Sequence, residues 1–420
     1  MVVPPRVPLM SSENMEDFGF PTELIREGRV EIAVPKLEAF VTLPSDYAPS
    51  KAPVFYNPTM ELNRDIAVLA LQAYQKRLGE EIYVCEPLAG CGLRGIRFAK
   101  EVDSVKKVLL NDLNPKAAKL ANFNVKLNRV SKRVVVENDD ANLILSTHAA
   151  PRKRFSFIDL DPFGSPAPYM DSAVRALRNG GMIALTATDL APLCGVHPKA
   201  CIRKYGARPL RTEYCHELAV RILAASLARA AAKHDVGVKM VFAHSTDHYI
   251  RVYAVSQYGA RKADETLQNL GYIVHCFNCF HRETSKEMFR AKKEHCTECD
   301  GKLSVAGPLW LGKIADKSFC ESMVKEIDRK FLGQKKKVKK LVSTVLEETE
   351  APATYYVVDE VCDKLGLCTP SAKKVIAQLQ REGYQAVATH FRSNGIKTNA
   401  LAKHVIHVIK SLASECLLKL

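Results

Sequence analysis

The chain has 420 residues, an ordinary apolar content of 47% and a formal net charge of +15. That length predicts two or three domains, and the charge favours a polyanionic partner, with nucleic acid ahead of an acidic membrane surface. No apolar run of about 18 residues occurs, and Met1 to Ser12 holds no signal-peptide core. We therefore predict a cytoplasmic protein that does not bind a membrane.

The predicted elements before Gly259 alternate between helices and short apolar strands. A strand over 29–34 and a helix over 60–78 come first. Further strands are predicted at 82–86, 105–111, 133–137, 155–160 and 182–188, and helices at 94–100, 115–128, 169–177 and 210–233. Strands that alternate with helices predict a mostly parallel sheet covered on both faces. Two more strands, 239–243 and 249–256, predict an antiparallel hairpin at the sheet edge.

The sequence changes character after residue 258, where we predict a domain boundary. Residues 1–258 would form an α/β domain with an N-terminal extension, and residues 259–420 a second, α+β domain. Over 350–420 the order helix, turn, helix, strand is typical of a winged-helix-like fold. Thr369-Pro370 is predicted to cap its second helix.

Two Cys-x-x-Cys pairs, separated by sixteen residues, fall in the second domain. They are Cys276 with Cys279 and Cys296 with Cys299. Two such pairs predict four thiolate ligands for a tetrahedral zinc ion in a zinc-ribbon-like element, spanning 276–299. Because four protein ligands leave no open position, we expect one structural zinc ion. Redox pairing of these cysteines is the alternative, and the other nine cysteines are expected to be reduced thiols.

A glycine-rich loop, Gly90-Cys91-Gly92-Leu93-Arg94-Gly95, follows the strand at 82–86 and opens a helix. This G-x-G-x-x-G pattern is typical of dinucleotide binding, and Asp112, at the end of the next strand, could hold ribose hydroxyls. Both features suit a nicotinamide dehydrogenase and an S-adenosylmethionine enzyme equally, because both ligands carry an adenosine. The loop alone leaves these two functions open.

Charged residues around the loop favour the methyl donor. Glu86, just before the loop, suits a cationic amino group better than a pyrophosphate. Arg64 and Arg94 could pair with an amino acid carboxylate, and Asp140, after the third strand, could accept an adenine amine. Each could instead be a helix cap or a surface charge. Their joint placement at consecutive strand ends nevertheless favours S-adenosylmethionine.

The tetrapeptide Asp161-Pro162-Phe163-Gly164 follows the apolar strand at 155–160. The exocyclic amine of a nucleobase is a weak nucleophile, since its lone pair is shared with the ring. The Asp161 carboxylate and the Pro162 carbonyl can accept its two N–H bonds and hold it against a methyl donor. The Phe163 ring can stack on the base. Asp-Pro is also a common turn dipeptide, so the motif depends on the residues around it.

Together these motifs resemble the tRNA guanine-26 N2-dimethyltransferase family. The likeness covers most of the chain and includes Val54-Phe55-Tyr56-Asn57-Pro58, Leu62-Asn63-Arg64-Asp65, Gly92-Leu93-Arg94-Gly95-Ile96-Arg97, Asp159-Leu160-Asp161-Pro162-Phe163-Gly164-Ser165-Pro166, Thr186-Ala187-Thr188-Asp189, Gly307-Pro308-Leu309-Trp310 and Gly395-Ile396-Lys397-Thr398. The resemblance implies a class I, Rossmann-like methyltransferase sheet of seven strands. It also implies transfer of methyl groups from S-adenosylmethionine to the N2 of guanosine 26 in tRNA.

The resemblance further implies a role for each site residue. Asp161 would be the catalytic carboxylate with the Pro162 carbonyl as its partner, and Phe163 and Phe55 would bracket the guanine. The methyl donor would contact a larger set, namely Arg64, Glu86, Gly90, Gly92, Arg94, Asp112, Asp140 and Ala141, the last near its adenine. Some members of the family lack the cysteine pairs, so zinc is not expected to be catalytic.

The expected partner is tRNA, bound by basic surface of the C-terminal domain. The lysine run at 335–340 is the first candidate, although it could equally be an exposed helix face or a linker. The oligomeric state is left open, with a monomer slightly favoured. Three other functions remain: an amino methyltransferase acting on adenine in DNA or on a protein amide, a nicotinamide dehydrogenase, and a non-catalytic RNA-binding protein.

Overall fold

The protein is described by a computed structural model over residues 16–41, 48–288 and 294–417. The stretch from Met1 to Ser12, in which no signal peptide is predicted, lies outside the described residues. Within these ranges, no helix combines the length and the apolar character needed to cross a bilayer.

Fifteen strands and fifteen α-helices are described. The strands are β1 Thr22–Glu27, β2 Val30–Pro35, β3 Ile82–Glu86, β4 Val105–Asn111, β5 Val134–Glu137, β6 Phe155–Leu160, β7 Leu177–Ala187, β8 Val236–Thr246, β9 Tyr249–Tyr258, β10 Leu270–Cys276, β11 Arg282–Ser285, β12 Leu303–Trp310, β13 Tyr356–Val357, β14 Ala386–Ala388 and β15 Gly395–Thr398. The helices are α1 Ala48–Lys51, α2 Glu61–Leu78, α3 Leu93–Glu101, α4 Pro115–Leu127, α5 Ala141–Thr147, α6 Met170–Ala176, α7 Leu190–Leu193, α8 Pro198–Tyr205, α9 Cys215–Ala232, α10 Ala260–Leu267, α11 Lys317–Glu326, α12 Lys335–Glu348, α13 Val358–Leu365, α14 Ala372–Arg381 and α15 Ala402–Leu417.

The central sheet has seven strands in the order β5-β4-β3-β6-β7-β9-β8. Neighbouring strands from β5 to β7 are parallel, whereas β9 is antiparallel to both β7 and β8. The predicted parallel sheet with an antiparallel edge hairpin is confirmed, and it fits the class I methyltransferase fold.

Both faces of this sheet are covered by helices. All six residues of β6 are buried. Phe157 and Met182 belong to a core that also contains residues of α2, α3 and α4. Ile158 and Ile183, one position further along their strands, belong to the opposite core with α6 and α9. Parallel strands buried on both sides are expected to be continuous apolar runs, as the β6 sequence is.

The parallel strands bring their carboxyl ends to one edge of the sheet. Glu86 ends β3, Asp112 follows β4, Asp140 follows β5 closely, and Asp161 follows β6. On one side of β3 lies β4, the next strand along the chain, and on the other side lies the later strand β6, so the strand order reverses at β3. Ligands of open α/β sheets bind at this kind of switch point, outside the carboxyl ends of the strands.

Two smaller sheets follow the hairpin. Strand β10 pairs antiparallel with β11 and β12, and Ile273 and Leu309 of this sheet share a core with α9. The last sheet has the order β13-β15-β14 and packs with α13, α14 and α15 around a core that contains Val375 and Ile396. These are the zinc-ribbon-like and winged-helix-like elements that the sequence predicts.

The packing of α11 and α12 crosses the predicted boundary at residue 258. Met323 of α11 and Val342 of α12 belong to the same hydrophobic core as Val68 and Leu69 of α2. Lys76 of α2 also pairs with Glu326 of α11, with 2.6 Å between Nζ and Oε1. The division into domains 1–258 and 259–420 stays a prediction.

The structure differs from the predicted elements in a few places. The cap of α14 is Ser371, whose side chain accepts the Lys374 N–H, and not Thr369-Pro370, because only Ser371 has a side-chain oxygen placed for that donor. Helix α9 begins at Cys215 instead of 210, and Arg208, just before the predicted start, pairs its backbone with that of Gly307. Strand β1 was not predicted, since the apolar and polar residues of its sequence do not alternate regularly.

Candidate active site

The glycine loop lies at the carboxyl end of β3 and closes against β4. Gly90 and Gly92 have φ values of 54° and 77°, a region that favours glycine. A side chain at Gly95 would place its Cβ 2.2 Å from Leu110 Cδ2, so α3 packs too tightly on β4 for any other residue. The loop therefore allows a close approach of helix and strand, and contact of Gly90 and Gly92 with the methyl donor stays a prediction.

Asp112 holds the loop in place. Its Oδ2 accepts the Gly90 N–H at 2.8 Å, and its Oδ1 accepts the Asn114 N–H at 2.9 Å. The side chain is half-buried, and each carboxylate oxygen retains a second acceptor direction. A ribose contact from Asp112 stays a prediction that this geometry permits.

Asp140 is an exposed helix cap. Its Oδ1 accepts the N–H groups of Asn142 and Leu143 at 2.8 and 3.1 Å, and the buried Ala141 begins α5. This is one of the two roles that the sequence left open for Asp140. An adenine contact at Asp140 and Ala141 is not tested by this arrangement.

Glu86 is buried, and its Oε2 accepts the Gly95 N–H at 2.9 Å. Burial raises its pKa to about 8, and the charges of Asp159 and Asp161 also raise it, against the lowering effect of Arg94. Glu86 is thus mostly protonated at neutral pH in this environment. A cation placed beside it would favour the ionised form.

Arg64 pairs with a carboxylate that the sequence did not reveal. Its Nε donates to Oε1 of Glu27 at 2.7 Å, and its Nη1 donates to the Asn57 carbonyl at 3.2 Å. Arg97 donates to the same Glu27 oxygen at 2.8 Å. Glu27 lies at the end of β1, so the N-terminal hairpin contributes an acid beneath the site.

Arg94 joins three side chains at the ends of β6 and α2. It donates to Oδ1 of Asp159 at 2.9 Å, to Oδ1 of Asn63 at 2.9 Å, and to Oδ2 of Asp161. Its Nε and the Nδ2 of Asn63 are buried and have no hydrogen-bond partner within the described residues. The side chain predicted to bind the donor therefore also binds the predicted catalytic carboxylate.

Asp161 is the accessible member of this cluster. The Asp161 side chain is 17% exposed, whereas that of Asp159 is fully buried. The Thr186 hydroxyl also hydrogen-bonds Asp161. Burial would raise the pKa of Asp161, but the Arg94 and Arg251 guanidiniums outweigh it and hold that pKa below its usual value. Asp161 is ionised at neutral pH.

Arg251 of β9 supports this carboxylate from below. It is fully buried and donates to Oδ2 of Asp159, to the Thr186 hydroxyl and, at 2.7 Å, to the Tyr253 hydroxyl. Because arginine has no acceptor, Thr186 receives its hydrogen bond and can donate its own hydrogen to Asp161. Neither residue was predicted as a site residue: Asp159 appears in a family motif without a role, and Arg251 lies in no motif, since a charge pair between two strands leaves no local pattern.

Phe55 and Phe163 lie against each other, with ring centroids 4.5 Å apart and an interplanar angle of 79°. Phe163 is 70% exposed, which is unusual for a phenylalanine. Pro162 is buried, and Gly164 exchanges hydrogen bonds with Thr188 at 2.8 and 2.9 Å. A base bracketed by the two rings would have to move them apart.

The four predicted zinc ligands come together at the end of β10. The sulfur atoms of Cys276, Cys279, Cys296 and Cys299 lie within 4.8 Å of one another. A Cβ at Gly301 would come within 3.2 Å of the Cys299 sulfur, so the turn wraps closely around the cluster. Four thiols at this separation fit a tetrahedral zinc ion.

A second cluster of soft ligand atoms involves Cys194, Cys215 and His216. It offers three ligands, and the positive charge of Arg392 acts on both Cys215 and His216. That charge opposes a bound cation, so the four-cysteine cluster is the stronger candidate metal centre.

Comparison with known proteins decides what this site belongs to. The family described as "TRM: N2,N2-dimethylguanosine tRNA methyltransferase" matches residues 28–410. The chain belongs to this family. One relative, the tRNA (guanine(26)-N(2))-dimethyltransferase of Methanobrevibacter smithii, is 41% identical over 93% of this chain and 98% of its own length.

Other members of the family extend the likeness. The tRNA (guanine(26)-N(2)/guanine(27)-N(2))-dimethyltransferase of Aquifex aeolicus is 35% identical over 93% of this chain and 96% of its own. A solved structure of Trm1 from Pyrococcus horikoshii in complex with S-adenosyl-L-methionine covers 92% of this chain and 99% of its own, with a TM-score of 0.79 and 36% identity. The family resemblance seen in the motifs is confirmed.

Proposed function

We propose that this chain transfers methyl groups from S-adenosylmethionine to the N2 of guanosine 26 in tRNA. The products would be N2-methylguanosine and then N2,N2-dimethylguanosine. The observation that carries the proposal is an accessible, ionised Asp161 at the carboxyl end of β6, in a chain 41% identical to a guanine-26 dimethyltransferase.

The residues at the carboxyl edge fit the methyl donor. S-adenosylmethionine supplies an electrophilic methyl group on a sulfonium sulfur when it is bound. The unpartnered Nε of Arg94 and Nδ2 of Asn63 are donors suited to its carboxylate. The buried Glu86 suits its amino group, and Asp112 suits its ribose hydroxyls. Gly90 and Gly92 supply the positive φ values that this turn of the loop needs.

Asp161 would hold and polarise the guanine amine. Its carboxylate would accept one N2–H and the Pro162 carbonyl the other, so the nitrogen lone pair is aimed at the methyl carbon. Positive charge grows on N2 as the N–C bond forms, and the negative Asp161 stabilises that charge in a site that is only partly open to water. The exposed Phe163 and Phe55 rings would separate and stack on the flipped base.

The lowered pKa of Asp161 is compatible with this role. A carboxylate of low pKa is a poor base toward neutral guanine. An N2 that has gained a methyl group and a positive charge is much more acidic, so Asp161 would accept its proton and pass it to water. Arg94 and Thr186 therefore favour the charged acceptor state and not early proton removal.

The second methylation would use the remaining N2–H. A charged carboxylate is a stronger acceptor than a carbonyl, so the single N–H of the monomethyl product would turn toward Asp161. Its methyl group would then lie on the Pro162 side, beside the exposed Phe163 ring. Only the amino group would turn between the two transfers, and the base would keep its place in the site.

The direct test is mass spectrometry of nucleosides from unmodified tRNA treated with the pure protein and S-adenosylmethionine. We expect N2-methyl- and N2,N2-dimethylguanosine, mapped to position 26. A tRNA with adenosine at position 26 is the control, and it also reveals any transfer to guanosine 27. Methylation of DNA or of a protein substrate, with none on tRNA, would contradict the proposal.

The four-cysteine cluster would bind one structural zinc ion. Cys296→Ser removes one of its four thiolates and should reduce both the zinc content per chain and the thermal unfolding temperature. Cys368→Ser is the matched control, because Cys368 is exposed and lies outside the cluster. Equal zinc content in the two variants, measured by atomic absorption, would exclude the four-thiolate site.

tRNA would contact the 259–420 domain, including the lysines of α12. These lysines lie on a helix whose other face is buried through Val338 and Val342, so the run is not a linker. We also propose a cytoplasmic location, since tRNA is the substrate.

A further inference from the structure

The segment between β7 and α9 has an unusual charge balance. Residues 188–214 contain five basic residues and two acids, and both acids are already paired, Asp189 with Lys204 and Glu213 with Arg282. The five are Lys199, Arg203, Lys204, Arg208 and Arg211, and all are exposed. Lys204 pairs with Asp189 at 3.0 Å, whereas the other four have no ion pair among the described residues. We call these four side chains the α8 patch.

The α8 patch is attached directly to the acceptor loop. Thr188, the first residue of this segment, exchanges two hydrogen bonds with Gly164 of the Asp161-Pro162-Phe163-Gly164 motif. The Tyr205 hydroxyl, at the end of α8, donates to Oδ1 of Asp189 at 2.6 Å and also hydrogen-bonds Ser165. Helix α8 is therefore held beside the residues that follow the catalytic carboxylate.

The backbone that carries the patch is held at several points. A Cβ at Gly195, whose φ is 90°, would lie 2.8 Å from the Arg211 nitrogen, so the two ends of the segment meet closely. Arg208 and Gly307 exchange two backbone hydrogen bonds of 2.9 Å. Cations on an ordered backbone need little further ordering to bind an anion.

Helix α8 presents two of these cations on one face. Cys201 and Tyr205 are buried, while Lys199 and Arg203, four residues apart, are exposed. The lysine run of α12 differs, because its Lys335 already pairs with Asp328 at 2.9 Å. What distinguishes the α8 patch is its position, because its four side chains have no ion pair among the described residues and its helix is hydrogen-bonded to the segment that holds Gly164.

We propose that the α8 patch binds the phosphates of tRNA that flank the methylated nucleotide. This inference rests on the proposed function. A base that leaves its stack to reach Asp161 remains attached to its own backbone, so the adjoining phosphates must lie next to the acceptor loop. Exposed lysine and arginine side chains on ordered backbone suit such phosphates, which position the nucleic acid without reading its sequence.

The test combines Lys199→Ala with Arg203→Ala and measures tRNA affinity at several salt concentrations. Removal of one phosphate-binding cation should reduce the slope of log K against log salt by about one, so we expect a decrease of about two for the pair. Affinity should fall about tenfold at low salt. Binding of S-adenosylhomocysteine and the thermal unfolding temperature should stay unchanged, because neither side chain is buried.

Lys106→Ala with Lys107→Ala is the matched control. It removes the same charge from exposed residues near the amino end of β4. That end of the sheet lies opposite the carboxyl ends of the strands, where Asp161 stands. Its salt slope should equal that of the wild type. Exchange of the two cations, Lys199→Arg with Arg203→Lys, should restore most of the affinity, since phosphate needs charge there and not one particular side chain.

The outcomes separate the inference from the function on which it rests. If the wild type methylates tRNA but the patch variant has the salt slope of the control, the α8 patch does not bind phosphates. If the wild type transfers no methyl group to tRNA, the proposed function itself fails. An equal loss of affinity in the patch variant and the control would also overturn the inference, because only net charge would matter.

Discussion

Two carboxyl groups at neighbouring strand ends of this molecule have opposite protonation behaviour. Glu86, at the end of β3, has a pKa raised to about 8, while Asp161, after β6, has a pKa below its usual value. Burial acts in the same direction on both, and Arg94 lies near both. The difference comes from the remaining contacts, since Asp161 also has Arg251 and the Thr186 hydroxyl as partners, whereas Glu86 has one backbone N–H.

The comparison shows how one sheet edge can prepare two sites of different charge. A carboxyl group with few partners stays neutral until a cation arrives, which suits the amino end of a methyl donor. A carboxylate with two guanidiniums nearby stays charged, which suits the acceptor of an amine hydrogen. Environment, and not residue type, assigns these two roles.

The largest expected effect is that of Asp161→Asn. It keeps the size of the side chain but removes the charge that would stabilise the growing charge on N2. We expect the single-turnover rate on tRNA to fall by about 10²- to 10⁴-fold. Affinity for S-adenosylhomocysteine should change little by comparison.

Asp171→Asn provides the control, since Asp171 is an exposed acid of α6 that pairs with His234. It should methylate tRNA at the normal rate. A normal rate in Asp161→Asn as well would mean that the charge on the acceptor side is not needed, and the comparison between the two carboxyl groups would lose its functional meaning.

The second prediction concerns Arg251, which helps to keep Asp161 charged. Arg251→Met leaves Asp159 with one guanidinium fewer in a fully buried position, so the free energy of unfolding should fall by about 3–5 kcal/mol. It should also raise the pKa of Asp161 and shift the acidic limb of the pH–rate profile to higher pH, because Asp161 must be ionised to act. Urea unfolding and single-turnover rates measure the two effects.

Lys106→Met, in an exposed ion pair with Glu81, should alter neither the unfolding curve nor the pH profile. An Arg251→Met protein with an unshifted acidic limb would show that Arg94 and Thr186 alone keep Asp161 ionised. The positioning role of Arg251 would then be purely structural.

The smallest expected effect is that of Glu86→Gln. Gln resembles the protonated form of Glu86 but cannot become charged beside a cation, so affinity for S-adenosylhomocysteine at pH 7 should fall about tenfold. In the wild type, an amino group bound beside Glu86 should expel its proton. Calorimetry in buffers of different ionisation enthalpy should therefore detect proton release near pH 7 that fades above pH 8.

Glu86→Gln has no such proton to lose, so its binding heat should not depend on the buffer in this range. Equal proton release in the variant and the wild type would place the titrating group elsewhere. The contrast with Asp161, which is already ionised, would then not extend to the donor side.

Local sequence was enough to predict the parts of the site that follow strands. The apolar run of β6 predicts where Asp161 stands, the glycine loop predicts the turn between β3 and α3, and the cysteine spacing predicts a four-sulfur cluster. These signals are short in sequence, so their geometry is set by the neighbouring residues. The alternation of strands with helices similarly predicted the parallel sheet, and the two successive strands at 239–243 and 249–256 predicted its edge hairpin.

The supporting charges could not be predicted in the same way. Arg64 meets Glu27 across 37 positions of sequence, and Arg251 meets Asp159 across 92. Such pairs depend on how distant elements pack together, and the sequence around either partner does not show which charge it meets. The contact between Phe55 and Phe163 likewise appears only in the folded chain, because the two motifs predicted that the rings lie on either side of a guanine.

Glu27 sets a practical lower limit on how far the chain can be shortened. It neutralises Arg64 and Arg97, which are both buried. A truncated protein that starts after β2 would retain these two guanidiniums at the base of α2 and α3 with one fewer counter-charge. Proteolytic clipping of the amino-terminal hairpin should therefore inactivate the enzyme, although no residue proposed to touch tRNA or the methyl donor would be removed.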